Sequence, residues 1–412
     1  MLVHWIWLAT RPDMSDREKL AALAYFSDPE DVFCGDKGGY QNLEGVSAKA
    51  VEALLDKDLS QAYKILRQCA DKDIRICAFG DKEYPKRLKH ISDPPMVLYY
   101  KGMMPDFDEQ PVIAVVGTRR PSAYGISVAR RMGYQIAGCG GLVVSGLAKG
   151  VDAAAMAGAL TAGNSVVGVL GCGVDVVYPK ENKTLQLDTQ RQGCLISEFP
   201  PETPPYRWNF PKRNRIISGL SCGVLVVEAP EISGSLITAR QASEQGRDVF
   251  VVPGNIDMPS FAGSNALLRE GAIIVSSGWD VVSEYQGIYP DKVHKNLALV
   301  KTEQIPQENQ TAAKVAQKPY SFKKNTSFGE SNEKIMVDKP AQDAYSDQSS
   351  TYQPASQEER IVLEQLGGHE RHVDELIALT KLPVGKLLSI LTMLEIKGAL
   401  VRLPGKRFRR KQ

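Results

Sequence analysis

The middle of the chain contains seven short apolar runs, and longer stretches with helical periodicity separate them. The runs are VIAVV (112–116), LVV (142–144), SVVGVL (165–170), CLIS (194–197), VLVV (224–227), DVFVV (248–252) and AIIV (272–275). None of them shows the polar alternation of a half-exposed strand, which favours strands that are covered on both faces. Because helical patterns fill the intervals, this region predicts an α/β fold with a doubly wound parallel sheet.

The segment before the sheet region has a different pattern. Residues 1–80 predict a helical domain, because 15–26 and 47–55 have the periodicity of amphipathic helices. The phrase LEGVSAKAVEALL loosely resembles a helix-hairpin-helix or SAM-like module, in which glycine amides hold a DNA backbone. Ser47 stands where the second glycine of that module is expected. A purely structural helical domain is the alternative interpretation.

The sheet region spans residues 81–290, and two further segments follow it. Residues 291–355 are rich in Lys, Gln, Ser, Asn, Pro and Asp and contain few large apolar side chains. Such a composition buries too little surface to offset the entropy of ordering, so we expect a disordered linker. Residues 356–412 contain three short helical patterns and then ALVRLPGKRFRR, a hairpin-like end. This order predicts a winged-helix domain.

The bulk composition limits the class of protein. Fifty Lys and Arg residues against 48 Asp and Glu leave a formal net charge of +2, so any nucleic-acid affinity comes from local clusters. The seven cysteines form no CxxC pair, which favours reduced thiols in a cytoplasmic protein over a zinc site. The initial MLVHWIWLATRPD lacks the basic leader of a signal peptide. No apolar run approaches the ~18 residues of a membrane span, so we expect no membrane contact.

One stretch combines cations with aromatic side chains. Residues 206–215 read YRWNFPKRNR, without an acidic residue, at the predicted start of a helix. Positive charge suits phosphates and flat rings suit unpaired bases, so this stretch predicts contact with single-stranded nucleic acid. We expect Lys212, Arg213 and Arg215 to neutralise phosphates around Asn214. We favour Phe210 over Trp208 for base stacking, because we expect the tryptophan to be buried.

Glycine-rich loops follow several of the predicted strands. In an open parallel sheet, ligands bind beyond the carboxyl ends of the strands, and glycine lets backbone amides approach an anion. The loops GTRRPSAYG and SGLAKGVD place Arg119, Arg120 and Lys149 at that edge. In SGSLITA, Ser233 is a predicted helix cap, with the amides of Gly234 and Ser235 directed outward. The alternative is that these glycines serve tight turning alone.

An enzymatic alternative rests on four carboxylates that come just after strands: Asp152, Asp175, Glu198 and Glu228. Four such groups suit Mg²⁺ in a metal-dependent nuclease or a nucleotide-processing hydrolase. They equally suit helix capping and loop anchoring. The chain lacks GxxxxGK[ST], and GCGVDV has Val176 where a dinucleotide fingerprint has its third glycine. We therefore expect no cofactor.

Six longer motifs resemble the DNA-processing protein A family (DprA, also called Smf). They are YPKRLKHISDPPMVLYYKG (84–102), VGTRRPSAYG (116–125), SGLAKGVDAAA (145–155), FPKRNRIISGLS (210–221), SGSLITARQASEQGRDVFVVPG (233–254) and GSNALLREGA (263–272). The chain departs from the family at Met156, where the family usually shows His. PGNIDMPS also differs from the PGGxGT-type loop of Rossmann-like phosphoribohydrolases.

The resemblance implies an extended Rossmann-like, dimeric, non-catalytic protein of natural transformation and homologous recombination. It implies binding and protection of single-stranded DNA, and loading of a RecA-type recombinase past single-strand binding protein. The site residues that it implies are Gly117, Thr118, Arg119, Lys149, Phe210, Lys212, Arg213, Asn214, Arg215, Gly234 and Ser235. It implies no catalytic residue and no bound metal.

The C-terminal segment carries a second group of cations. Its wing and tail contain Lys397, Arg402, Lys406, Arg407, Arg409, Arg410 and Lys411. The predicted recognition helix, residues 383–396, has Lys386, Ser389 and Thr392 as its polar reaching groups. Specific duplex readout normally uses Arg, Asn or Gln at such positions. Non-specific contact with a DNA backbone, protein docking and an auxiliary role in stability remain as alternatives.

Overall fold

The computed structural model describes residues 1–296, 357–367, 369–397, 399–403 and 407–410. The chain divides into two compact units, Met1–Phe322 and Lys323–Gln412. Beyond residue 296, the predicted disordered linker lies outside the described residues. The domain boundaries drawn from the sequence stay predictions.

A nine-stranded sheet forms the centre of the first unit, in the order β1-β2-β6-β5-β4-β3-β7-β8-β9. Each of the seven apolar runs overlaps one of its parallel strands, β3 to β9, which confirms the predicted α/β class. The strands are β1 (Arg75–Ala78), β2 (Val97–Gly102), β3 (Val112–Val116), β4 (Leu142–Ser145), β5 (Val166–Val169), β6 (Cys194–Ser197), β7 (Gly223–Val226), β8 (Asp248–Val251) and β9 (Ile273–Ile274).

Strands β1 and β2 lie where the sequence predicted no strand, and β1 falls within the segment predicted to be helical. They pair with each other antiparallel, and β2 pairs antiparallel with β6. In the second pairing Tyr100 lies opposite Ile196, almost a hundred positions away in the sequence. A local sequence pattern contains no signal of so distant a partner. The prediction that residues 1–80 are helical was therefore wrong at β1.

The central strands are buried on both faces, as their composition predicted. Along β3, Ile113 and Val115 enter one hydrophobic core, whereas Val112, Ala114 and Val116 enter the other. This division follows from the two-residue period of a strand. The first core lies under α8 (Ala123–Gly138), α9 (Val151–Thr161) and α14 (Gly278–Ser283). The second lies under α11 (Asn209–Leu220), α12 (Gly234–Glu244) and α13 (Ala262–Arg269), and α10 (Lys183–Gln192) packs beside β6.

Short helices form most of the chain before β1. They are α1 (Leu2–Ala9), α2 (Asp16–Phe26), α3 (Pro29–Cys34), α4 (Lys37–Gln41), α5 (Ala48–Leu55) and α6 (Ser60–Asp71), with α7 (Lys86–Lys89) between β1 and β2. The apolar residues Trp5, Ile6, Trp7 and Leu8 are buried in a third core. The described residues include no helix of the length and apolarity needed to cross a bilayer.

The amide of Ser47 bonds within the protein. It donates to a carboxylate oxygen of Glu18 at 3.0 Å, and Ser47 itself caps α5 by accepting from the amide of Ala50. Bonds from Ser47 and Ser15 lower the pKa of Glu18 to about 2. In a helix-hairpin-helix this amide would face a DNA phosphate. The internal carboxylate therefore favours the structural interpretation of the N-terminal helices.

The second unit has the predicted winged-helix order. Its helices are α15 (Gln357–Leu366), α16 (Val373–Thr380) and α17 (Val384–Ile396). The strands β11 (Leu400–Leu403) and β12 (Arg407–Arg410) pair antiparallel, and β10 (Arg371–His372) pairs with β12. Leu376, Leu391 and Phe408 belong to the core that joins these elements.

Several cations of the second unit have partners within it. Lys397 forms an ion pair with Glu359 at 2.7 Å, and Arg409 lies 3.7 Å from Glu370. On the predicted recognition helix, Lys386 pairs with Glu358 at 2.5 Å. Lys406, Lys411 and the side chains of Arg402, Ser389 and Thr392 lie outside the described part. These ion pairs reduce the charge that the wing offers to a DNA backbone.

We expect Gly158→Ala to destabilise the protein. Alanine gains about 1 kcal/mol of helix propensity over glycine in a helix interior. However, a Cβ at Gly158 in α9 would lie 2.0 Å from the carbonyl oxygen of Arg130 in α8. Overpacking of this kind costs about 1–3 kcal/mol, so the net effect is a loss of stability in urea unfolding. The control is Gly287→Ala, where the new Cβ meets nothing within 4 Å. Equal stability of the two variants would contradict the close helix crossing.

Candidate nucleic-acid interface

A groove of about 680 Å³ opens at the carboxyl ends of the parallel strands. Its walls come mainly from the loops after β3 and β7 and from the first turns of α11. The sheet order reverses between β3 and β7, and such a switch point is where open α/β sheets bind ligands. Eight of the eleven residues predicted for the site line this groove: Gly117, Thr118, Arg119, Phe210, Arg213, Asn214, Gly234 and Ser235.

Backbone and carboxylate bonds hold the loop after β3 in place. The amide of Thr118 donates to the carbonyl of Glu228 at 2.8 Å, and its carbonyl accepts from the amide of Val151 at 3.2 Å. The buried carboxylate of Glu228 accepts from both the amide and the hydroxyl of Ser122, the residue that caps α8. Arg119 and Arg120, which are exposed, therefore extend from a fixed loop.

Two glycines of the loop after β4 lie in close contact with residues that line the groove. Gly150 has φ of +83°, and a Cβ there would lie 2.4 Å from the carbonyl oxygen of Thr118. A Cβ on Gly146 would lie 2.1 Å from a guanidinium nitrogen of Arg213. The glycines of SGLAKG thus serve close packing of the loops around Arg213, in addition to turning the chain.

Arg213 is a buried cation at the floor of the groove. It donates to the carbonyl of Val169, and its Nε has no hydrogen-bond partner among the described residues. Burial lowers its pKa to about 10, with Asp152 opposing that shift, so the guanidinium stays charged at neutral pH. Burial raises the pKa of Asp152, which also accepts from the amides of Gly146 and Ala148. Because Arg213 is a cation that lines the groove, its charge is suited to attract an anionic ligand.

Phe210 lies half-buried between cations and a second ring. Its centroid is 5.4 Å from that of Tyr178, and the guanidinium carbon of Arg119 lies 5.5 Å from it. Gly171 underlies the ring, since a Cβ there would come within 2.9 Å of Phe210. A ring held on one side by its neighbours and open to the groove on the other is suited to stack against a base.

The N-terminus of α12 forms the opposite wall. Ser233 caps the helix by accepting from the amide of Ser235 at 3.3 Å. A Cβ on Gly234 would meet nothing within 4 Å, so the first turn of the helix is open. The amide of Ser235, which was expected to be directed outward, is thus engaged by its own cap. The positive end of the helix dipole still favours an anion at this place.

The lining of the groove has an excess of positive charge. It includes four arginines, and Asp152 is the one carboxylate among the described residues that line it. Arg120 and Arg207 belong to this set. The sequence placed Arg120 at this edge and Arg207 at the start of the basic run, but neither was predicted as a site residue. Arg120 directly follows a selected residue, and Arg207 comes three positions before Phe210. The run of cations without an acidic residue, which begins at Arg207, was the signal that could have found it.

Two further predicted residues lie beside the groove. Lys149 lines a small adjoining cavity with Arg119 and Phe210, and it forms an exposed ion pair with Glu181 at 2.6 Å. Exposed pairs of this kind are worth little, so a phosphate can compete for the lysine. Lys212 is exposed and stands outside the residues that line the groove.

The structure corrects the role expected of Arg215. Its side chain is buried and forms ion pairs with Asp16 at 2.9 Å, Asp93 at 3.1 Å and Glu198 at 2.5 Å. Burial opposes its charge, but these carboxylates, Glu198 foremost, outweigh burial and raise its pKa. Residues two apart on a helix do not share a face, so Arg213 and Arg215 point to different surroundings. The charge of Arg215 is already neutralised inside the protein.

The expectation that Trp208 is buried was also wrong. Its side chain is 64% exposed, and it stacks against Tyr206 with ring centroids 4.8 Å apart. Trp208 is the cap residue before the first turn of α11, and no other ring stacks on it among the described residues. The prediction of burial came from the large apolar side chain of tryptophan. Its position at the start of a helix instead leaves that side chain exposed.

Each of the four carboxylates of the enzymatic alternative bonds or pairs with a group inside the protein. Asp152 and Glu228 bind loop groups as described above. Asp175 pairs with Lys72 at 2.6 Å, and Glu198 pairs with Arg215. Across the described ranges, no group of three or more His, Cys, Asp or Glu side chains is arranged to hold a metal ion. The contacts of these carboxylates match capping and loop anchoring.

Comparison with known proteins covers the same part of the chain. The family described as DNA recombination-mediator protein A matches residues 75–286, and the DprA winged helix domain matches residues 346–406. DNA processing protein DprA from Bacillus subtilis is 42% identical over 236 residues, 56% of this chain and 80% of that protein. Protein Smf from Synechocystis is 32% identical over 378 residues, 90% of this chain and 88% of that protein.

A solved structure supports the same relationship. The crystal structure of DNA processing protein A from Streptococcus pneumoniae aligns with a TM-score of 0.62 at 35% identity. The alignment covers 69% of this chain and 98% of that chain. All the loops that line the groove fall within the family match over residues 75–286.

We expect Arg215→Met to destabilise the protein without changing the groove. The substitution leaves the buried Glu198 without its cation, and breaking a buried ion pair in this way costs about 3–5 kcal/mol. Asp16 and Asp93 are partly exposed, so their hydration moves the expected loss toward about 3 kcal/mol. Urea unfolding measures this loss in the free energy of unfolding. Lys212→Met, three positions earlier and exposed, is the control with an expected change below about 0.5 kcal/mol. Wild-type stability of Arg215→Met would show that the cluster does not stabilise the fold.

Proposed function

Because the chain belongs to the DNA recombination-mediator protein A family (DprA or Smf), we propose that this DNA-processing protein binds single-stranded DNA in the groove. The observation that carries the proposal is the charge of the groove. Four arginines line it, and its one carboxylate among the described residues, Asp152, is engaged by Arg213 and loop amides. The positive end of the α12 dipole adds to the attraction for a chain of phosphates.

Preference for a single strand follows from Phe210. Its ring opens to the groove beside Arg119, so a phosphate and an unpaired base can be bound together. In a duplex the faces of the bases are stacked on one another and unavailable to such a ring. Affinity for unpaired bases through aromatic stacking tolerates any sequence, since every base has a flat face. We propose sequence-independent binding for this reason.

We further propose that the protein does not catalyse a reaction on the DNA. It protects the strand and delivers it to a RecA-type recombinase past single-strand binding protein, in homologous recombination during natural transformation. The description of the matched family as recombination mediators supports delivery. The structural contacts of Asp152, Asp175, Glu198 and Glu228 support a role without catalysis. All seven cysteines are free thiols, which suits the cytoplasm.

We also propose that two copies pair through β9. This strand ends the sheet order, with β8 as its neighbour and its other edge unpaired among the described residues. Ile273 is 39% exposed and Ile274 is 63% exposed. An unpaired edge with apolar side chains readily pairs with another chain. The opposite edge strand, β1, has an exposed Arg75 and is less suited to such pairing.

Titration of a fluorescent poly-dT oligonucleotide, with a duplex of equal length as competitor, tests the groove. We expect strong preference for the single strand, and weaker binding by Arg119→Ala. Each phosphate contact contributes about −0.7 to the slope of log affinity against log salt, so the slope of this variant should be shallower by about that amount. Arg67→Ala, an exposed arginine of α6, is the matched control. Equal affinity for both DNA forms, unaffected by Arg119→Ala, would contradict the proposal.

Sedimentation velocity tests the pairing of copies. We expect a dimer for the wild-type protein and a monomer for Ile274→Asp, because the carboxylate would be desolvated in the interface. The control is Ile288→Asp, which replaces a side chain that is 68% exposed elsewhere in the same unit. A dimer that persists in Ile274→Asp would place the interface on another surface.

A further inference from the structure

Tyr206 and Trp208 form an exposed aromatic pair beside the groove. Their rings are nearly parallel, with an interplanar angle of 9° and a centroid distance of 4.8 Å. Tyr206 is 45% exposed and Trp208 is 64% exposed, and neither belongs to the lining of the groove. Two large rings stacked on each other in solvent leave one broad aromatic face without a protein partner among the described residues.

The pair is held in a fixed position. The amide of Asn209 donates to the carbonyl of Tyr206 at 3.0 Å, and the side-chain amide of Asn209 donates to the carbonyl of Gly171 at 3.0 Å. The amide of Tyr206 donates to the carbonyl of Pro204 at 2.8 Å. Asn209 is buried, so it anchors the start of α11 and with it both rings. A ligand that stacks there does not have to order a mobile loop.

Helical spacing places a cation next to this pair. Phe210, Arg213, Asn214 and Ile217 line the groove, at intervals of three and four residues along one face of α11. Trp208 and Lys212 are also four residues apart and lie on a neighbouring face. Lys212 is exposed and stands outside the groove. No acidic residue occurs from position 203 to position 227, so the surroundings favour an anion.

We propose that Tyr206, Trp208 and Lys212 form a second binding step for single-stranded DNA beyond the rim of the groove. A base of the strand that leaves the groove stacks on the free face of Trp208, with Tyr206 supporting the ring from behind. A phosphate of the same strand pairs with Lys212. Arg207, between the two rings in sequence and part of the groove lining, links the two steps. This inference rests on the proposed binding of single strands in the groove.

A length series of dT oligonucleotides, from about 4 to about 16 nucleotides, tests the inference with the full-length protein. Strands that extend beyond the groove should bind Trp208→Leu about 5- to 150-fold more weakly than wild type, the range for one stacked base. Strands too short to leave the groove should bind both proteins equally. Lys212→Ala should reduce the salt slope for long strands alone. Tyr63→Leu, which removes an aromatic side chain that is 58% exposed on α6, is the matched control.

Intrinsic fluorescence gives a second readout. Of the four tryptophans, Trp5 and Trp7 are buried and Trp279 is partly buried, so Trp208 is the exposed one. Long strands should quench the emission of wild type and of Tyr63→Leu, and the quenching should be absent from Trp208→Leu. Trp208→Phe should lose the quenching but keep most of the affinity, because phenylalanine retains a flat ring.

The outcomes separate the two proposals. Suppose that Arg119→Ala weakens binding, that Trp208→Leu binds strands of every length as wild type does, and that long strands do not quench the emission. The second step is then overturned, whereas binding in the groove is supported. If the wild-type protein does not bind the oligonucleotides, both proposals fall. Length-dependent loss of affinity and of quenching in Trp208→Leu, with thermal stability unchanged, would establish the second step.

Discussion

The burial of a parallel sheet on both faces is the constraint on which the rest of this structure depends. Strands that are covered by helices on each side have to satisfy their backbone groups by pairing with each other, and their loops then emerge at the two ends. β3 and β7 are neighbours. From β3 the chain continues to β4 on one side, and from β7 it continues to β8 on the other. The loops after β3 and β7 consequently diverge, and the groove forms between them.

Helix α11 connects this groove to the remainder of the protein. On one side, Arg213 lies at the floor of the groove with a donor that has no partner among the described residues. On the other side, Arg215 is surrounded by carboxylates that include Asp16 of the N-terminal helices. The same type of residue therefore lines the groove in one position and pairs with carboxylates inside the protein in the other. The difference arises from the direction in which each side chain leaves the helix.

The carboxylates near the groove follow the same logic. Glu228 and Asp152 are buried and hold loop amides, which keeps the glycine-rich loops at fixed distances from Arg213. Because these carboxylates accept hydrogen bonds from loop groups inside the protein, they leave the lining of the groove with an excess of positive charge. A groove lined by four arginines thus coexists with a formal net charge of only +2 for the whole chain.

The sequence by itself determined the seven parallel strands, the loops at their carboxyl ends and eight of the residues that line the groove. Apolar runs, glycine-rich turns and a basic segment without acids are local signals, and each reports a local physical preference. The antiparallel pair β1 and β2, the burial of Arg215 and the exposure of Trp208 were decided by tertiary structure alone. Each depends on partners that are distant in sequence, such as Ile196 opposite Tyr100 and Asp16 beside Arg215, or on the absence of a covering element. A chain pattern carries no information about those partners until the fold brings them together.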